Sequence, residues 1–147
     1  MFKHILVPTD GSALSKKAIK RAMALAKFSR ARVTGFYAAP QYRIEIYSEY
    51  VPRNLVTPVQ HRAAMKKRAQ KYLAAIKKAA DAARVRYQGH YVFSDLPYEA
   101  IIQAAKSSGC DLILMASHGR RGLSGLLLGS ETTKVLTHSK IPVLVCR

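Results

Sequence analysis

Two short stretches of this chain hold residue types at spacings that could do chemistry. Pro8-Thr9-Asp10-Gly11-Ser12 follows the first apolar run. A glycine-rich stretch from Ala116 to Ser130 contains Gly119, Gly122, Gly125 and Gly129 together with Arg120 and Arg121. Glycine lets backbone N–H groups approach an anion closely and turn toward it. Gly129-Ser130 also opens a helical pattern, and the free N–H groups and dipole of a helix start favour a phosphate. Ser130 can add a hydroxyl donor there or serve as an ordinary N-cap, and the two roles are compatible. The combination predicts a polyphosphate cradle made mainly of backbone. It is not a P-loop, because no lysine followed by Ser or Thr comes after the glycines. It is not the dinucleotide fingerprint either, since the first strand-to-helix turn holds only Gly11. No Ser or Cys nucleophile with an orienting acid is evident, and the five histidines show no metal-ligand spacing.

Positioning such loops needs a framework, and the chain is long enough to build one. Its 147 residues suit one domain spanning 1–147, and 49% hydrophobic residues exclude a disordered chain. The two cysteines, Cys110 and Cys146, are too few for a disulfide framework and fit a reduced, cytosolic protein. Both read as small apolar packing residues. No run of about 18 apolar residues is present, so no membrane span is expected. Ile5-Leu6-Val7 is broken at once by Pro8 and Asp10, which does not read as a secretory leader.

The pattern alternates short apolar runs with amphipathic stretches. Residues 2–7 read as a buried strand, and Ser12 as the N-cap of a helix whose apolar positions are Leu14, Ala18, Ala22, Leu25 and Ala26. Residues 33–38 read as a second strand. Residues 40–58 carry Pro40, Pro52 and Pro58, which argue against a long helix or a central strand and for a long excursion. A helix over 60–84 follows, with Met65, Ala69, Tyr72, Leu73, Ile76, Ala80 and Ala83 as its stripe. Residues 87–93 read as a third strand, weakened by Gly89. Asp95 and Pro97 mark the start of a helix that Gly109 ends. Residues 112–115 form a continuous apolar run, 130–138 a short helix and 143–146 a last strand. Strands alternating with helices predict a parallel sheet covered on both faces. Right-handed crossovers then bring every strand's C-terminal end to one edge, where ligands gather at the point of reversed strand order.

At these loops the chain resembles the universal stress protein family over essentially its whole length. The resemblance rests on Ile5-Leu6-Val7-Pro8-Thr9-Asp10-Gly11-Ser12, on Asp111-Leu112-Ile113-Leu114-Met115-Ala116-Ser117-His118-Gly119, and on the ending Pro142-Val143-Leu144-Val145. The nucleotide-binding branch of that family carries Gly, two residues, Gly, nine residues, Gly, then Ser or Thr. Gly119, Gly129 and Ser130 match it, and Ala116 stands at the first position, adding a methyl beside the expected ribose and phosphates. The resemblance implies an α/β, Rossmann-like fold: a single open five-stranded parallel sheet, order 3-2-1-4-5, with helices on both faces. It implies a cytosolic stress-response protein that binds ATP, or ADP or AMP, with or without Mg²⁺, and acts as a regulatory or signalling module. Carried over by position, Pro8, Thr9 and Asp10 would line the adenine and ribose side, and Ala38 would touch the base. Met115, Ala116, Gly119, Gly129, Ser130, Glu131 and Thr132 would hold ribose and phosphates. A homodimer through the last strand, Val143–Cys146, is implied as well, an edge suited to strand pairing.

Several residues keep two readings. Asp10 can cap a turn or accept from a ribose hydroxyl or adenine amine. Arg120 and Arg121 can clamp phosphate or lie in solvent. Nucleotide binding would order 116–130 and the 40–58 excursion. A slow ATPase using the same site is an alternative, although no general base is evident. The remaining feature is charge. Lys plus Arg number 25 against 8 acids, a formal +17, and between Arg53 and Arg86 ten Lys or Arg face only Asp81. Lys67, Lys71 and Lys78 share a helical face. Such runs are usually solvated, whereas the sharper reading is an anion or nucleic-acid binder acting through the basic helix. No base-reading or stacking motif accompanies it, so nucleic acid is the disfavoured partner.

Overall fold

The computed structural model describes residues 1–44, 54–120 and 128–147. The elements follow in the expected alternation: β1 (His4–Pro8), α1 (Ala13–Ser29), β2 (Arg32–Ala39), α2 (Pro58–Ala83), β3 (Tyr87–Phe93), α3 (Pro97–Ser107), β4 (Leu112–Ala116), α4 (Ser130–His138) and β5 (Val143–Cys146). The five strands form one sheet in the order β3-β2-β1-β4-β5, and every pairing is parallel. This is the α/β, Rossmann-like arrangement expected from the sequence.

Side chains on a strand alternate between faces, so β1 and β4 must be apolar on both sides when both faces are covered. Ile5, Val7, Val33, Leu112 and Leu114 pack under α1 and α2 with Ala18, Ala22, Ile76 and Ala80. Leu6, Phe36, Ile113 and Met115 pack on the opposite face with Ile101, Ile102, Ala105 and Val135 of α3 and α4. Helix α1 buries Ser15, Ala18, Ile19, Ala22, Met23 and Ala26, with Leu25 only packed against that cluster's edge. Helix α2 buries Met65, Ala69, Tyr72, Ile76 and Ala80 of its expected stripe, while Leu73 and Ala83 are only partly buried at its edge. Both cysteines are buried and unpaired, and burial pushes the Cys110 thiol up to about 11.

β3 lies at an edge, which explains how its weak sequence is tolerated. Gly35 and Gly89 sit opposite each other in the β2–β3 register. A Cβ on Gly35 would come within 2.8 Å of the Tyr87 hydroxyl, and one on Gly89 would collide with it. The paired glycines therefore leave a slot through which Tyr87 donates to the Leu73 carbonyl of α2 at 3.0 Å. Burial there pushes the Tyr87 phenol up to about 12.

Helix starts differ in detail from the sequence reading. Ser12 caps α1 by accepting from Ser15 N–H, as expected. Helix α2 begins at Pro58, its first helical position, after a Thr57–Gln60 capping box, so Pro58 belongs to the helix and not to the excursion. Asp95 does not cap α3, whose N-cap is Leu96. Gly129, not Ser130, is the N-cap of α4. The expected 40–58 excursion and 116–130 loop lie in part, at 45–53 and 121–127, outside the described residues.

Asp111 ties the start of β1 to the start of β4. Its carboxylate accepts from Lys3 N–H at 2.8 Å and His4 N–H at 2.9 Å. Partial burial opposes ionisation, but these two amides, together with Asp111's own N–H and the nearby His4 ring, hold the carboxyl below its ordinary value. A carboxyl lowered by folding stabilises the native state above its unfolded value, and that contribution disappears as pH falls through the folded value. Asp111→Asn is therefore expected to cost about 1–2 kcal/mol at pH 7. In urea titrations the gap between parent and variant should narrow between about pH 5 and pH 2. A gap that stays constant to pH 2 would mean that charge on Asp111 contributes nothing.

Candidate functional site

Parallel pairing puts the C-terminal ends of β1 and β4 side by side. The chain leaves β1 for α1 on one face and β4 for α4 on the other, which opens a crevice between the two connections. A cavity of about 1240 Å³ occupies it, and Pro8, Thr9, Asp10, Ala38, Met115, Ala116, Gly119, Gly129, Ser130, Glu131 and Thr132 all line its wall. Phe36, Ile101 and Met115 are buried and give its floor an apolar surface.

Asp10 holds the two connections together. One carboxylate oxygen accepts from Ser12 N–H at 3.0 Å, the short-range turn bond of its plainer reading. The other accepts from Arg120 N–H at 2.8 Å, 110 residues away. Gly119 makes this approach possible, because a Cβ there would fall on that same oxygen. Gly129 N–H donates to the Ser117 carbonyl at 2.7 Å and closes the base of the glycine-rich loop. A Cβ on Gly129 would lie 3.0 Å from His118 Cβ, so this closure also favours glycine. Arg121, Gly122 and Gly125 lie outside the described residues.

Most side-chain donors and acceptors around the cavity are already engaged. Thr9 Oγ1 accepts from Gly11 N–H at 3.1 Å and from the Ser15 hydroxyl at 2.8 Å. Thr132 donates its hydroxyl to the Ala116 carbonyl at 3.0 Å. Glu131 accepts from Tyr98 N–H at 2.9 Å and from Lys134 at 3.2 Å, which supplies α3 with the first-turn acceptor that Leu96 cannot. Gly129 has no side chain with which to cap α4, so the first-turn amides of α4 receive no side-chain cap. These amides, with the exposed Ser130 hydroxyl, are what the start of α4 offers an anion.

The cavity continues over α2. Arg120 donates its guanidinium to the Tyr72 hydroxyl and lies 5.5 Å over the same ring. Tyr72 packs edge-on against Tyr37 and touches the Gly11 turn. Across the opening, Asp95 accepts from Gln41 N–H at 3.1 Å and pairs with Arg43 at 2.8 Å. The Gln41 amide first, and Arg43 next, hold the Asp95 carboxyl below its ordinary value. The His61 ring meets the Pro40 carbonyl at 2.8 Å, and Tyr42 donates to the Val56 carbonyl at 2.8 Å. Sequence reasoning missed Arg68, Tyr72, His61 and Asp95 as lining residues. For His61 and Asp95 the available signal was topological, since residues just after a strand or on the first turn of the next helix share the sheet's C-terminal edge; Arg68 and Tyr72 lie mid-helix in α2 and carried no such signal. Among the described residues no group of three His, Cys, Asp or Glu is gathered for a metal, and no helix is long and apolar enough to cross a membrane.

Comparison with known proteins gives a consistent result. The model of the universal stress protein family matches residues 1–147. The chain is 32% identical over 151 residues to universal stress protein YxiE of Bacillus subtilis, covering the whole of both. Among solved structures it resembles MJ0577 of Methanocaldococcus jannaschii, with a TM-score of 0.82, 28% identity, and 99% of this chain and 95% of that one covered. It also resembles a universal stress protein solved in complex with cAMP, with a TM-score of 0.71, 26% identity, and 99% and 97% covered.

Proposed function

The chain belongs to the universal stress protein family, and from that premise we propose that its cavity binds an adenine nucleotide, ATP above ADP and AMP. The observation that carries this reading is the meeting of the two loops in one crevice, latched by Asp10 to Arg120 N–H above the uncapped start of α4. The apolar floor around Ala38, Met115 and Ile101 suits a purine face, and Pro8 and Thr9 flank it. Asp10 spends its carboxylate on two amides, so its part is to shape the site. Gly119, Gly129 and Ser130 leave room and amides for the phosphates. Glu131 and Thr132 contribute main-chain N–H groups, since their side chains are engaged elsewhere. Ala116 sets its methyl on the cavity wall without closing the cavity. Mg²⁺ accompanying the nucleotide would be carried by phosphate oxygens and water.

In this reading the chain is one cytosolic nucleotide-binding domain that reports a stress state through its bound form. Two copies pair through β5, an edge strand whose Leu144 is 44% exposed. The basic outer face of α2 is a solvated surface, and the nucleotide lies elsewhere. Calorimetric titration of the purified protein with ATP, ADP and AMP tests the proposal. Saturable binding of all three, tightest for ATP, is expected. Absence of heat with all three at millimolar concentration would overturn it.

A further inference from the structure

The cavity carries a charge pattern that one anion at α4 does not use. Among the described residues three carboxylates line it, and each is engaged: Asp10 by two amides, Asp95 by Arg43 and Gln41 N–H, and Glu131 by Tyr98 N–H and Lys134. Arg43 is neutralised by Asp95. Arg68 and Arg120 also line the cavity, and among the described residues neither pairs with a carboxylate.

Arg120 is fixed at both ends. Its main-chain N–H is held by Asp10, and its guanidinium sits on the hydroxyl and face of buried Tyr72. Arg68 lies one helical turn before Tyr72 on α2, on the same side of the helix, and opens onto the same cavity. Two residues with planar guanidinium forks therefore line the cavity, Arg120 seated on Tyr72 and Arg68 one turn from Tyr72 on α2. A guanidinium matches the geometry of phosphate oxygens and keeps its charge at every relevant pH.

We propose that Arg68 and Arg120 form a second anion subsite that reads the distal phosphates of the ligand, so that the site selects a triphosphate chain over a monophosphate. The proposal rests on the nucleotide reading above for the base, but not for the phosphate chain. The α4 amides take the phosphate nearest the ribose, and only a longer chain reaches the two arginines. Tyr72 acts as a positioning residue by seating Arg120. The excess positive charge of the chain is thus put to use at two positions inside the cavity, not along the outer face of α2.

The test is a titration of the full chain and its Arg68→Ala, Arg120→Ala and doubly substituted forms with ATP, AMP and inorganic tripolyphosphate. Both substitutions spare the Arg120 N–H that Asp10 accepts. Each is expected to weaken ATP and tripolyphosphate by about tenfold, the loss of one charge-assisted contact, while AMP changes by less than about twofold. Equal losses for ATP and AMP, or no loss for either, would overturn the subsite. Tripolyphosphate binding that depends on the arginines, without any nucleotide binding, would sustain the subsite and remove the adenine reading. Nucleotide binding indifferent to both arginines would do the reverse. A parent chain that binds none of the three probes would end both.

Discussion

Ser130→Asp should leave the protein at least as stable as the parent and lower its affinity for ATP about a hundredfold, a loss of roughly 2–3 kcal/mol. Ser130 is the first residue of α4, is exposed, and makes no capping bond. A carboxylate in the first turn of a helix interacts favourably with the N-terminal dipole, by about 0.3–1 kcal/mol. The same carboxylate occupies the place proposed for a phosphate. Two like charges about 4 Å apart repel by about 4 kcal/mol at an effective dielectric constant near 20, and salt screening reduces that figure. Stability and binding therefore move in opposite directions. Urea titration with calorimetry reads both. Unchanged affinity for ATP would mean that phosphate does not lie at the start of α4.

The second large effect concerns the turn after β1. Gly11→Ala is expected to destabilise the protein by about 3 kcal/mol, which combines left-handed backbone strain with overpacking. Gly11 has φ +77°, and an added Cβ would collide with the Tyr72 ring. That ring has little freedom to retreat, because it is buried, stands edge-on to Tyr37 at 5.1 Å, and carries the Arg120 guanidinium on its hydroxyl. Gly109 provides the control. It has φ +67°, but nothing lies within 4 Å of an added Cβ. Gly109→Ala should therefore show the backbone cost alone, about 1 kcal/mol. Equal losses for the two variants in urea titration would show that Tyr72 does not pack against the turn. Gly11→Ala should also weaken ATP binding, since displacing Tyr72 moves Arg120.

The strands and helices could be read from residue order because their signals were local and strong. β4 is a continuous apolar run, and the α2 stripe from Met65 to Ala80 keeps helical period through five turned-in residues that are all buried. Even the weak β3, interrupted by Gly89, starts and ends where the pattern places it. Caps were harder, because they depend on which group happens to face a helix end. Leu96 leaves α3 uncapped until Glu131 arrives from another helix, and no short-range pattern announces a partner 33 residues away. The two loops could be singled out by glycine and helix-start chemistry, but their latch could not. Asp10 and Arg120 are brought together by sheet topology, and the glycine that permits their contact looks like any other in a glycine-rich stretch. Arg68 and Tyr72 were hidden for a related reason. In sequence they belong to a basic amphipathic helix, and only the placement of the middle of α2 beside the β1 turn brings them to the cavity.

The most direct measurement is a titration of ¹⁵N-labelled protein with ATP, followed through its backbone amide resonances. The largest shifts are predicted at Gly119, Gly129, Ser130, Glu131 and Thr132 and through Asp10–Ser12, while Lys67, Lys71 and Lys78 on the outer face of α2 stay in place. Shifts confined to that outer face, with the start of α4 unmoved, would contradict a phosphate held by main-chain amides between the two loops.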